Sequence, residues 1–161
     1  MAFGAYHNGI QQAYLGEIIG ERLYRSLANR ASQAEVSKLN AIADVERLTH
    51  ERLRPIADRL GIQADEAELN EVVMHRTTEL SALTWAGFVD QAVTRWPPYI
   101  ARFEALKSMA PRIDVPAIQY LVQHEIALVQ FVRLEKEALG SMSSLLILQS
   151  FLIQRDFDAE P

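Results

Sequence analysis

Hydrophobic residues recur every three or four positions along most of this chain, the spacing that places them on one face of an α-helix. The few Gly and Pro residues separate these periodic stretches. The pattern predicts four long helices, at about residues 10–31, 33–60, 78–109 and 115–139. A connection at 61–77, with a short helix near 66–74, precedes the third, and an amphipathic helix covers about 143–154. No stretch alternates apolar and polar residues over the length of a strand, so the predicted fold class is all-α.

Local signals mark where the predicted helices start and end. Ser32 and Glu35 have the spacing of a capping box. Asp114 precedes a Val-Pro pair, and Pro is tolerated in a first helical turn. Gly61 and Gly140 stand where a left-handed residue would end a helix. These signals agree with the boundaries that the periodicity predicts.

The topology follows from the lengths of the connections. Because short turns join the first helix to the second and the third to the fourth, each of these pairs should be antiparallel. Two such hairpins joined by a long crossover predict a four-helix bundle at about 10–140, within one domain covering 1–161. The apolar helix at 143–154 must pack on this bundle or on a second subunit, and we predict a homodimer.

Ionisable residues interrupt the apolar faces of the predicted helices. On the second helix Glu46 and His50 occupy positions where the spacing requires apolar residues, whereas Lys38 falls on the outer, polar face. Glu17 and Glu21 lie one turn apart on the first helix, and either is able to point inward.

The fourth predicted helix carries the most isolated acidic residue. Glu125 lies nearly opposite a polar stripe of Gln residues, among aliphatic neighbours, and His124 flanks it. A lone buried carboxylate is costly unless it is paired or ligates a metal. Asp90 lies near the middle of the third helix. Since all these residues lie near their helix midpoints, the sequence predicts one polar layer across the middle of the core.

Composition narrows the classes of function. Hydrophobic residues make up 49% of the chain and charged residues 23%, as in folded globular domains. The sequence has no Cys, which excludes disulfides, thiolate nucleophiles and Cys-ligated clusters within it. A net charge of −5 argues against nucleic acid as the main partner. With neither a leader pattern nor an apolar run of the ~18 residues that a membrane span needs, we expect a cytoplasmic protein that binds no membrane.

Two interpretations of the polar layer remain open. In the first, carboxylates and imidazoles from facing helices bind Fe²⁺ or Mn²⁺, which take oxygen and nitrogen ligands. In the second, the polar groups satisfy one another: Glu46 bonds to His50, and Glu125 pairs with Arg22, Arg25 or Tyr24. The convergence of the whole set on one level favours the metal site.

These residues resemble motifs of the ferritin-like superfamily, in particular its rubrerythrin and di-iron carboxylate lineage. Residues 18–24, which include Glu21, are similar to the first-helix segment that carries a single Glu ligand. Residues 44–50 are similar to the second helix, and His124-Glu125 stands where the fourth helix carries ligands. The resemblance covers 10–140 and implies one or two Fe or Mn ions with O₂ or peroxide chemistry.

The ligand set that this resemblance implies departs from the family pattern. The family's Glu-x-x-His becomes Glu46-x-x-x-His50, and Leu121 stands three residues before His124 in place of a Glu. A second ion would require Asp90 or Glu17 as a ligand. The implied metal ligands are Glu17, Glu21, Glu46, His50, His124 and Glu125.

Three functions are compatible with these features. The leading prediction is a non-haem iron or manganese oxidoreductase or oxygenase that acts on a small molecule with O₂. Its main alternative is a non-catalytic helical interaction protein that keeps a decayed ferritin-like site. The third is a small-molecule-binding bundle in which the aromatic third helix, with Trp85, Phe88 and Trp96, walls a cavity.

Overall fold

A computed structural model describes residues 2–157 and, within them, the side chains of residues 4–154. Every regular element in residues 2–157 is an α-helix, which confirms the predicted all-α class. None of these helices is long and apolar enough to cross a membrane. The helices are α1 (Ala2–Ala28), α2 (Gln33–Arg59), α3 (Glu66–Ser81), α4 (Trp85–Arg95), α5 (Pro97–Ser108), α6 (Val115–Glu137) and α7 (Met142–Phe157).

Helix α1 begins well before the predicted start at residue 10, because its first turns are anchored. Tyr6 is buried, and its hydroxyl donates a 2.7 Å hydrogen bond to Asp114 Oδ2. Asp114 stands directly before α6, as predicted, but its carboxylate makes no capping bond. It accepts hydrogen bonds from Tyr6 and from Arg59 instead. The predicted ends at Gly61 and Gly140 are confirmed, since both residues have positive φ.

The predicted third helix at 78–109 is wrong, because two local signals divide it. The side chain of Thr84 accepts a 3.1 Å hydrogen bond from the Gly87 N–H and caps a new helix, α4. Pro97 and Pro98 then lack the N–H groups that would continue the hydrogen-bond ladder, so α5 starts as a separate helix. The apolar periodicity continues through both breaks, which is why it did not reveal them.

Helix α3 is about twice as long as the short helix predicted at 66–74. Its start is capped by Asp65, whose carboxylate accepts from the backbone N–H groups of Ala67 and Glu68, the second and third residues of the helix. It continues to Ser81 because Leu69, Val73 and Thr77, spaced by four residues, are all buried. The crossover is therefore mostly helical and packs along α1.

Helices α1 and α2 form the predicted antiparallel pair. Arg25, near the end of α1, bonds to Asp44 at 2.5 Å, while the earlier Glu21 bonds to the later His50 at 2.7 Å. Helix α6 lies centrally and contacts α2, α4, α5 and α7.

Lys38 is buried, so its predicted place on the outer face of α2 is wrong. Its side chain is 2% exposed, and its ammonium donates to both carboxylate oxygens of Glu135 on α6 at 2.7 and 2.8 Å. Glu135 also accepts hydrogen bonds from Trp85, Gly140 and Ser144. Burial raises the Glu135 pKa, but these donors outweigh burial and lower it overall. The network ties α2, α4, α6 and α7 together.

The apolar core is divided into two clusters along the long helices. One cluster holds Leu23 of α1, Ile42 of α2 and Phe131 of α6, and the other holds Ile10 and Leu53 from α1 and α2. On these helices Glu17, Glu46, His50, His124 and Glu125 lie between the two clusters, whereas the buried Lys38–Glu135 pair lies beyond the first of them. The predicted polar layer is therefore confirmed for α1, α2 and α6.

Candidate metal centre

Three buried side chains from three helices meet in this polar layer. Glu17 of α1, Glu46 of α2 and His124 of α6 each offer one potential ligand atom, and these atoms lie within 4.8 Å of one another. His124 Nε2 is 3.5 Å from Glu17 Oε2 and 3.9 Å from Glu46 Oε2. Atoms that bind one ion at about 2.0–2.2 Å lie roughly 3–4 Å from one another, so the spacing suits a shared ion.

Glu125 adds a fourth buried group at the edge of the cluster. Its Oε1 lies 3.7 Å from His124 Nε2, and its side chain is 9% exposed. Carboxylate and imidazole together form the donor set that Fe²⁺ and Mn²⁺ accept.

Several buried polar atoms of the cluster have no hydrogen-bond partner in the part of the chain that the structure describes. Both ring nitrogens of His124 and Oε2 of Glu17 are buried with no hydrogen-bond partner among the described residues. Buried polar atoms are normally paired, and each exception requires a reason. The expected arginine partners of Glu125 are engaged elsewhere, because Arg22 pairs with Glu66 and Arg25 with Asp44. A cation bound in the cluster would satisfy Nε2 of His124 and Oε2 of Glu17.

Burial shifts the protonation of every member of the cluster. It raises the pKa of Glu46 to about 7, and it raises the pKa values of Glu17 and Glu125 well above the ordinary value, with the Glu46 carboxylate adding to both. Burial lowers the pKa of His124 to about 3, so its imidazole is neutral. Hydrogen bonding between the Glu17 and Glu46 carboxyls adds to the rise in the pKa of Glu17. A divalent cation would displace these protons.

The other predicted site residues lie outside this cluster. Glu21 and His50 form their own pair, with Glu21 Oε2 2.7 Å from His50 Nε2, so the expected Glu46–His50 bond is replaced by one to α1. Asp90 is wrong as a member of the polar layer, since its side chain is 57% exposed and pairs with Lys136.

Gly20 positions Glu46 and was missed by the sequence analysis. A Cβ atom at Gly20 would lie 2.7 Å from both Cδ and Oε2 of Glu46. The missing side chain therefore lets the Glu46 carboxylate lie directly against α1. A Gly inside a strongly periodic helix was the available signal, since it weakens a helix and so indicates a close approach.

A cavity of about 1030 Å³ leads from the surface to the cluster. Glu17, Glu46 and Glu125 line it, together with residues of α1 on one side and of the α3–α5 segment on the other. Of the predicted aromatic wall, Trp96 lines this cavity, whereas Trp85 and Phe88 line a smaller one. The three glutamates are thus at the cavity wall, whereas the fully buried His124 is not among the residues that line it.

Comparison with known proteins finds no matching family model, and no match among curated proteins or solved structures. The resemblance to ferritin-like proteins stays a prediction.

The raised carboxyl pKa values predict that the metal-free protein loses stability as the pH rises from about 4.5 to 7 and beyond. In the unfolded chain the carboxyls ionise near 4.5, whereas folded Glu46 keeps its proton to about pH 7 and Glu17 and Glu125 keep theirs longer. His124 ionises near 6.5 when unfolded and adds little above that pH. The folded state then binds more protons, so the free energy of unfolding falls by about 1.4 kcal/mol per pH unit for each retained proton.

Urea unfolding of the metal-free protein at several pH values measures this slope. Glu46→Gln, which stays neutral, should reduce it, while Glu51→Gln on the exposed face of α2 should not. Constant or rising stability between about pH 6.5 and 8 would contradict the assigned protonation.

Proposed function

We propose that this protein binds Fe²⁺ or Mn²⁺ at Glu17, Glu46, His124 and Glu125 and acts as an oxidoreductase or oxygenase on a small molecule. The observation that supports it is a set of buried ligand atoms without partners at the inner end of an open cavity. A bound redox-active ion would supply O₂ chemistry at this position. The fold that we propose is a ferritin-like four-helix bundle, with α4 and α5 together taking the place of its third helix.

The chain's own residues have distinct parts in this proposal. Glu17, Glu46 and His124 hold the ion from three helices, so the site forms only when these helices pack correctly. Glu125 lies beside His124 on the cavity wall and supplies a further ligand oxygen on the side where a substrate arrives. The Glu21–His50 pair lies one turn away and fixes α1 against α2. It is a positioning pair for Glu17 and Glu46.

Metal content is the direct test. Untagged protein from cells grown with added iron and manganese should contain bound Fe or Mn, measured by plasma mass spectrometry. Glu46→Ala and Glu125→Ala should lose the metal while remaining helical by circular dichroism, because each removes a ligand oxygen. Glu51→Ala is the matched control, since Glu51 lies on the exposed face of α2. Protein that is metal-free and takes up no Fe²⁺ anaerobically would overturn the proposal.

One observation favours the alternative of a non-catalytic interaction protein. The Glu17–Glu46 hydrogen bond satisfies part of the cluster with a proton instead of a metal ion. If this alternative holds, neither the unsubstituted protein nor its variants bind metal. Glu46→Ala then lowers stability only through lost packing and hydrogen bonding.

We also propose the predicted homodimer, in which α7 supplies part of the interface. Leu145, Leu148 and Phe151 of α7 are buried on the chain's own core. Leu146 and Ile153, seven residues apart on its other face, are 57% and 60% exposed and would contact the second subunit.

A further inference from the structure

Three arginines line the cavity on its exposed side, one from each of the three helices of the α3–α5 segment. Arg76, Arg95 and Arg102 are exposed cavity residues. Arg102 is engaged, since it bonds to Gln12 and lies over the ring of Tyr99. Arg76 and Arg95 have neither a hydrogen bond nor an ion pair with any described residue. By contrast, four arginines outside the cavity all pair with carboxylates: Arg22, Arg25, Arg47 and Arg59.

Tyr24 lines the cavity and interacts electrostatically with both Arg76 and the carboxyl groups of the metal centre. Its side chain is buried. Burial raises its pKa, the charges of Glu46 and Glu125 raise it further, and the charge of Arg76 acts in the opposite direction. Its hydroxyl therefore lies within electrostatic reach of both Arg76 and the carboxylates. Tyr24 is four residues beyond Gly20, against which Glu46 lies, so it stands about 6 Å further along α1.

Apolar side chains line part of the cavity beside these charged groups. Trp96 lines it and contacts Tyr24 edge to face, with ring centroids 6.4 Å apart. Leu80 of α3 and Leu128 of α6 complete this stretch. Such a surface accepts a planar ring or a conjugated chain.

We propose that the cavity binds a small aromatic or conjugated carboxylic acid, with its carboxylate at Arg76 and Arg95 and its other end toward the metal centre. Guanidinium groups bind carboxylates through paired, charge-assisted hydrogen bonds. Among the residues that line the cavity, only the arginines carry a positive charge, and the inner end offers carboxyl groups instead, which fixes this orientation. That the acid is also the substrate rests on the proposed function.

Binding to the metal-free protein tests the assignment without any turnover. We expect trans-cinnamate, measured by calorimetry, to bind about tenfold or more tightly than its neutral isostere cinnamamide, because the charge-assisted bonds are lost in the amide. Arg76→Gln/Arg95→Gln should abolish this preference and leave cinnamamide binding unchanged. Arg133→Gln is the control, since Arg133 is an exposed residue of α6 outside the cavity.

Several results would overturn the assignment. They are the absence of cinnamate binding, equal affinity for acid and amide, an equal loss in Arg133→Gln, or tighter binding of phenyl phosphate than of cinnamate. Metal uptake on the same preparations separates this inference from the proposed function. Metal binding without cinnamate binding overturns the inference alone, whereas cinnamate binding without metal uptake overturns the proposed function alone.

Discussion

Replacing Lys38 by Met should destabilise the protein by about 3–5 kcal/mol, the usual result of removing one partner of a buried ion pair. The variant leaves the Glu135 carboxylate, which is 0% exposed, without its cation. Trp85, Gly140 and Ser144 still donate to it, but none of them carries a positive charge. Since small domains have only about 5–15 kcal/mol of stability, urea unfolding followed by circular dichroism should show a large shift of the midpoint.

An adjacent pair supplies the control for this prediction. Lys136 pairs with Asp90 on the surface, where both side chains are more than half exposed, so Lys136→Met should cost about 1 kcal/mol or less. Lys38→Met/Glu135→Gln removes both charges while keeping an acceptor for Trp85, and should recover much of the loss. Similar losses for Lys38→Met and Lys136→Met would contradict the buried network.

Replacing Gly20 by Ala should weaken metal binding by about 10–100-fold, the range seen when groups that orient metal ligands are altered. The added Cβ would lie 2.7 Å from the Glu46 carboxylate, so the carboxylate must move away from α1. Only the end of a flexible side chain has to shift. The fold of the metal-free protein should therefore survive, aided by a gain of up to about 1 kcal/mol in helix propensity.

Gly16→Ala is the matched control for this second prediction. Gly16 lies one turn earlier on α1, and a Cβ there meets nothing within 4 Å. It should give the same gain in helix propensity and leave metal affinity unchanged. Anaerobic Fe²⁺ titration of both variants, with thermal unfolding of their metal-free forms, measures the two effects separately. Unchanged affinity in Gly20→Ala would contradict the role of Glu46 as a ligand.

The polar layer was predictable because its members break a strong apolar pattern on long, continuous helices. Glu46 and Glu125 stand out as single ionisable residues among aliphatic ones, and their midpoint positions set their common level. The rotation of each helix about its own axis, which decides which of its residues face the polar layer, was not predictable. The choice of Glu17 over Glu21 as the partner of His124 depends on how α1 turns against α2 and α6, which the spacing of one turn leaves open.

Long-range pairing explains the other differences between expectation and structure. Lys38 points inward because Glu135, 97 positions later in the chain, meets it there. Asp90 was placed in the core only because the third helix was read as one continuous element. Once Thr84 and Pro97 divide that segment, α4 turns Asp90 toward Lys136 at the surface.

Because the predicted third helix is divided, different parts of the sequence supply the potential ligands and the cavity wall that faces them. The potential ligands come from α1, α2 and α6, whereas the cavity wall that faces them comes from residues 76–103 of α3, α4 and α5. Sequence change in these shorter helices can reshape the wall without moving a ligand. Selectivity for the bound molecule and affinity for the ion can thus change independently in descendants of this chain. Transplanting residues 66–108 between two such descendants would exchange their selectivity and leave their affinity for the ion unchanged.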